Sequence, residues 1–183
     1  MATQDKHSSS RRLLLGWLEQ SLRTAVAAGV SLAVARLLHL PEAYWAAVTT
    51  LVVMQSTLGA AWAVSTQRFI GTALGASFGA LLGNHLGNGA LVLTVGVFAL
   101  GLICGMLRLD QSAYRFAGVT FGIVTLVARE IAPIVVATHR FIEVSTGIGV
   151  ALVLTALWPA RYGLDSPVRP LAPMAADRPA SPK

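Results

Sequence analysis

The sequence predicts an all-α membrane protein with six transmembrane helices, and three observations carry that expectation. Of its 183 residues, 55% are apolar and only 12% charged, with a mean hydropathy of +0.66; so few charged groups cannot cover a water-facing surface. Six apolar runs follow one another, each of about 16 to 19 residues, close to the roughly 20 that a hydrocarbon core ~30 Å thick requires. Short links bearing proline, glycine or charge separate the runs.

Residues 1–21 form a polar N-terminus. Met1 to Ser10 are expected to be disordered, and Arg11 to Leu22 to hold a short amphipathic segment on the membrane surface, with Leu14, Trp17 and Leu18 at helical spacing. Ser10-Arg11-Arg12-Leu13-Leu14 looks like a twin-arginine export signal. Arg23 and Arg36 interrupt the apolar stretch after it and no cleavage site ends it, so retention is expected.

Residues 22–160 make the membrane domain. Its spans are Leu22 to Leu40, Ala43 to Ala61, Phe69 to Leu86, Ala90 to Leu107, Ala113 to Ala128 and Phe141 to Trp158. The breaks fall at Leu40-Pro41-Glu42, Gln67-Arg68, Gly87-Asn88-Gly89, Arg108-Leu109-Asp110 and the link from Arg129 to Arg140, which contains Pro133. Residues 161–183 hold five further prolines and read as a disordered cytoplasmic tail. With both ends inside, the cytoplasm receives Lys6, Arg11, Arg12, Arg68, Arg108, Arg161 and Arg169, and the outer links only Arg36, Arg129 and Arg140. A multi-pass membrane protein is therefore expected. Twelve of the fourteen basic residues are arginines spread over the ends of apolar runs, with no basic face interleaved with aromatics, which argues against nucleic-acid binding.

Arg68-Phe69-Ile70 and Arg140-Phe141-Ile142 lie 72 positions apart, and Ala47-Val48-Thr49 matches Gly118-Val119-Thr120 at a separation of 71. Two units of three helices follow, and an odd number of crossings gives them opposite orientation, a 3+3 inverted repeat. Chance matching of small apolar words is the competing explanation. On that repeat Arg68 and Arg140 mark opposite mouths of the bundle.

Gly71, Gly75, Gly79 and Gly83 recur every fourth residue along the third span, a seam against which another helix packs closely. In the fifth span Arg115, Gly118, Gly122, Thr125 and Arg129 share one stripe, which its small residues point toward protein. The two arginines stand about 21 Å apart at the helical rise, so they either snorkel to the interfaces or line an interior path. Arg68, Arg115, Arg129 and Arg140 are the candidate anion-attracting groups. Glu143, three residues after Arg140, either pairs with that arginine or carries a coupling proton, and the spacing favours the pair. His139 and His85 are further candidate proton carriers at predicted span ends. Thr49, Thr50, Gln55, Ser56 and Thr57 line a wet path or satisfy interhelical hydrogen bonds. Trp17, Trp45, Trp62 and Trp158 suit an interfacial belt in contact with lipid. Cys104 lies in an apolar run as packing. No metal-ligand spacing, nucleophile elbow or phosphate loop occurs, so neither an enzyme nor a cofactor or metal site is expected.

Tyr44-Trp45-Ala46-Ala47-Val48-Thr49, Gln55 to Gly59, Arg68 to Ala76, and Arg140-Phe141 through Gly147-Ile148-Gly149 into Trp158-Pro159 together resemble the fusaric acid resistance protein-like (FUSC) family. The aromatic acid exporters and the plant aluminium-activated malate channels are among its relatives. The resemblance implies a six-helix inner-membrane domain, efflux of aromatic or other organic acids, and a homodimer or a partner subunit. Ser56 stands where a proline often follows the glutamine, which argues against a helix break near Gln55, and a Pro-rich tail replaces the cytoplasmic domain of larger members. The leading expectation is an exporter of small organic anions. A passive anion channel and a non-transporting membrane module that assembles with a partner are the alternatives.

Overall fold

The computed structural model describes residues 2–55, 57–83, 89–127 and 131–159, with side chains from Leu14 onward. Arg129, His85, Ser56 and the 161–183 tail therefore lie outside the described residues. Six helices and no strand are found among those described: α1 (Ala2–Leu37), α2 (Tyr44–Val53), α3 (Leu58–Gly83), α4 (Ala90–Met106), α5 (Gln111–Val127) and α6 (Pro133–Leu157). Of these, only α6 is both long and apolar enough to cross a bilayer by length and composition; α2 and α4 are apolar but shorter.

The helix boundaries depart from the sequence expectation in four places, each with a local cause. First, α1 runs unbroken through the N-terminal residues expected to be disordered and through the segment expected to lie apart on the surface. No proline interrupts it. Its buried residues Gly16, Arg23, Ala27, Ser31 and Ala35 recur at helical spacing along one face.

Second, the expected second span is split. The α2 helix stops after ten residues, about 15 Å and so half a hydrocarbon core, and Met54 turns extended at φ −64 and ψ 107. A break near Gln55 occurs without a proline because side chains satisfy the freed backbone groups. The Gln55 amide donates to the Val52 carbonyl at 3.3 Å, and Thr57 Oγ1 accepts the Ala60 N–H at 3.3 Å.

Third, α3 starts at Leu58 and runs through Gln67-Arg68, which were expected to end a link. Both residues find partners within the bundle, Gln67 at Asp110 and Arg68 at Thr49, so neither needs water. Fourth, α6 starts at Pro133, whose missing N–H is harmless in a first turn. Arg68 and Arg140 accordingly sit about three turns and two turns inside their helices, not ahead of them.

The α3 helix is central, packing most extensively on α5 and then on α6, while α2 packs on α6 and is covered by α1, and α4 leans on α5. Close backbone approach makes the two main seams. A Cβ added at Gly75 would run into the Ala117 carbonyl, and one at Gly147 into the Ala46 carbonyl. Gly71 similarly faces Ala113, Gly79 faces Val124 and Gly83 faces Pro133. The α1 and α4 helices end alike. His39 and Arg108 both adopt a left-handed φ of 54. The amide of the next residue returns to a carbonyl five positions back, Leu40 to Ala35 at 3.1 Å and Leu109 to Cys104 at 2.9 Å.

Candidate functional site: buried arginine centres

Bilayers and packed interiors both make an unpaired guanidinium expensive, so the surroundings of the buried arginines are the most informative chemistry in the molecule. Three are almost wholly enclosed: Arg23 at 1% exposure, Arg140 at 3% and Arg68 at 7%.

Arg140, on α6, carries its own counter-ions. Its Nη2 lies 2.5 Å from Glu42 Oε2, and its Nη1 lies 3.2 Å from Glu143 Oε2. The second contact is an ion pair without hydrogen-bond alignment. The guanidinium also lies over the Trp45 ring at 4.4 Å, within cation–π range. Glu42, in the turn before α2, is the hub. Its Oε2 accepts from the Tyr44 hydroxyl and the Trp45 indole N–H, both at 3.0 Å, and its own backbone N–H donates to Glu143 Oε1 at 2.9 Å. Burial alone would raise the Glu42 carboxyl, but the hydrogen bond and charge of Arg140, aided by Tyr44 and Trp45, hold it below its ordinary value. Two carboxylates thus surround one guanidinium.

Arg68, on α3, is built differently. Its Nε and Nη2 both donate to Thr49 Oγ1, at 3.2 and 3.0 Å, and its head lies over the Phe116 ring at 4.8 Å. Among the described residues no carboxylate lies within ion-pair distance of it. Asp110 is bonded instead to Gln67, the residue before Arg68, at 2.9 Å.

Arg23, on α1, donates from Nη1 to Gln20 Oε1 at 3.0 Å, while its Nε and Nη2 are buried without a partner. The buried hydroxyls of Ser31 and Ser65 are also unpartnered.

The remaining sequence candidates lie elsewhere. Arg115 is exposed on the outer side of α5, contrary to the inward stripe expected from its small residues. The buried side of that helix is Ala113, Ala117, Thr120, Phe121, Val124 and Thr125, so of the expected stripe Thr125 does face protein, whereas Arg115, Gly118 and Gly122 line an open groove of about 630 Å³ with Leu93 and Val97 of α4. His139 is half-buried and does not join the Glu42–Arg140–Glu143 network. Within the polar run, Thr50 hydrogen-bonds the Gly147 carbonyl at 3.0 Å, and Thr49 serves Arg68. Sequence reasoning did not single out Glu42 or Arg23 as site residues, and it named Thr49 only within the polar run that lines a wet path or makes interhelical hydrogen bonds, the second of which it does. An arginine inside an apolar run is the signal that was available for Arg23, whereas Glu42 read only as part of a turn.

The chain matches the family described as fusaric acid resistance protein-like over residues 28–154, well over half its length. It belongs to that family. Comparison with curated proteins and with solved structures gives no match. Membership in the fusaric acid resistance protein-like family marks this as a membrane protein of transport or resistance type. The matched segment includes Glu42, Thr49, Arg68, Phe116, Arg140 and Glu143, and begins beyond Arg23.

Proposed function

We propose that the protein carries small organic anions, aromatic carboxylic acids among them, across a bacterial inner membrane in the outward direction. The observation that carries this reading is the enclosure of three guanidiniums within one helical bundle, of which, among the described residues, only Arg140 has a carboxylate partner. Intramembrane cations face protein or a polar path rather than lipid, and they mark anion routes. The excess negative charge of the Glu42–Arg140–Glu143 cluster supports proton coupling, since one proton on a carboxyl leaves the cluster neutral. That favours an exporter over a passive channel. In this reading all six helices belong to the membrane domain, α2 as a half-helix inside it, with both termini cytoplasmic and assembly as a homodimer or with a partner.

Reciprocal contacts support a 3+3 inverted repeat of α1–α3 and α4–α6. Arg68 lies over Phe116 and its counterpart Arg140 over Trp45, and Trp45 and Phe116 occupy matching positions 71 apart. Gly75 abuts Ala117 as Gly147 abuts Ala46. Phe69 and its counterpart Phe141 touch each other, with centroids 5.0 Å apart, as residues beside a pseudo-two-fold axis do.

The test is flux of a panel of aromatic and aliphatic acids from proteoliposomes holding the purified chain, with and without a pH gradient. Carboxylate flux that rises with the gradient is expected. Flux indifferent to the gradient would make the protein a channel, and absence of flux for every acid would leave a membrane module.

A further inference from the structure

The two arginine centres answer each other residue by residue, and the differences are chemical. Arg140 on α6 corresponds to Arg68 on α3, and the aromatic ring beneath each guanidinium corresponds too, Trp45 to Phe116. Glu42, which supplies the carboxylate to Arg140, corresponds to Ala113. Glu143 corresponds to Gly71, which packs against the backbone of Ala113 and leaves no room for a side chain. One half of the bundle therefore holds a guanidinium with a carboxylate already in place. The other holds a guanidinium over the matching ring, with both carboxylates deleted and Thr49 as its hydrogen-bond partner.

We infer that the carboxylate of the transported acid occupies the Arg68 centre, standing where Glu42 stands at Arg140. This rests on the proposed anion transport and names the group that binds the substrate. Two nitrogens of Arg68 are held by Thr49, which fixes the direction of the head. Among the described residues its Nη1 has no partner, and it is not among the wholly buried unpaired atoms, so it keeps an open side for a ligand oxygen. Phe116 beneath the guanidinium offers an apolar face to the body of the acid. The ligand class that fits is a monocarboxylate on a small flat apolar body, whose single charge neutralises Arg68 as Glu42 neutralises Arg140. A neutral amide of the same shape does not.

The full chain in lipid nanodiscs is titrated with benzoate and with benzamide at constant ionic strength, following melting temperature and tryptophan fluorescence. Benzoate is expected to bind and raise the melting temperature, and benzamide to do neither. R68Q should weaken benzoate at least tenfold. A113E should do the same with Arg68 left in place, because it restores the internal carboxylate. Benzoate binding within threefold of wild type in either folded variant overturns the inference, as does equal binding of benzamide and benzoate by the wild type. Benzoate binding that needs Arg68 but yields no flux would sink the transport reading and keep the site. Flux of benzoate that persists in R68Q would keep transport and remove the site.

Discussion

The ring of Phe69 on α3 lies against the ring of Phe141 on α6, with centroids 5.0 Å apart and planes inclined at 57°. Each phenylalanine follows one of the central arginines, so the contact fixes the crossing point of the two helices that carry Arg68 and Arg140. A double-mutant cycle of F69L and F141L, read by thermal unfolding in detergent, should give a coupling of about 0.5–1.5 kcal/mol, the usual worth of a tilted aromatic pair beyond its area. Strictly additive single changes would show that the rings merely share a neighbourhood.

The glycine seams predict a sharp positional contrast. Alanine at Gly75 or Gly147 meets a backbone carbonyl that cannot move aside, so G75A and G147A should each cost about 1–3 kcal/mol as overpacking does. Gly29, with nothing within 4 Å of its Cβ position, should tolerate alanine or gain about 0.5–1 kcal/mol from helix propensity. Unfolding midpoints of the three variants compare these directly.

Arg140 and Arg23 should respond in opposite ways to an apolar substitution. R140M strands Glu143, which is 1% exposed, and should destabilise the bundle by about 3–5 kcal/mol. R23M removes a buried charge with two unpartnered nitrogens and, among the described residues, breaks no ion pair of that arginine; it should be neutral or raise the melting temperature. A large loss of stability in R23M would mean that the guanidinium has a counter-ion in the membrane.

Acid should loosen the α1–α2 turn. The Glu42 carboxyl is held below its ordinary value of 4.5, so its contribution is fully present above that value and is lost as pH falls through the lower folded-state value. Melting temperature should therefore fall below about pH 4.5, and E42Q should flatten that part of the curve. An identical acid limb in E42Q would assign the effect to other carboxylates.

The break between α2 and α3 depends on side chains. T57A removes the acceptor for the Ala60 N–H and should cost about 0.5–2 kcal/mol, as the loss of a helix cap does. Hydrogen exchange at residues 58–61 should quicken in that variant. Unchanged exchange there would place the control of the break elsewhere.

Helix content and the seam of glycines were legible in the sequence because both depend on local spacing: apolar runs of membrane length, and small residues every fourth position. The pairing of Arg140 with Glu143 was legible for the same reason, since three residues separate them on one helix. Glu42 was not, because it reaches Arg140 across 98 positions and nothing near it in the chain announces that partner. The split of the second span was hidden for another reason. Gln55 and Thr57 do by hydrogen bonding what a proline does by covalent geometry, and polar residues in an apolar run are equally consistent with an unbroken helix. The orientation of α5 was misjudged because glycine suits a helix contact and an empty groove alike; Ala113, Ala117 and Phe121 in fact take the packed side.

The turn between α1 and α2 is tied to α6 by charge, through Glu42, Arg140 and Glu143, whereas the start of α5 is tied to α3 by close backbone contact at Gly71 and Gly75 and by the Gln67–Asp110 hydrogen bond. Charge answers to acidity and salt, and steric contact answers to neither. A drop in pH is thus a signal that the Glu42–Arg140 joint can feel and the packed glycine contacts ignore.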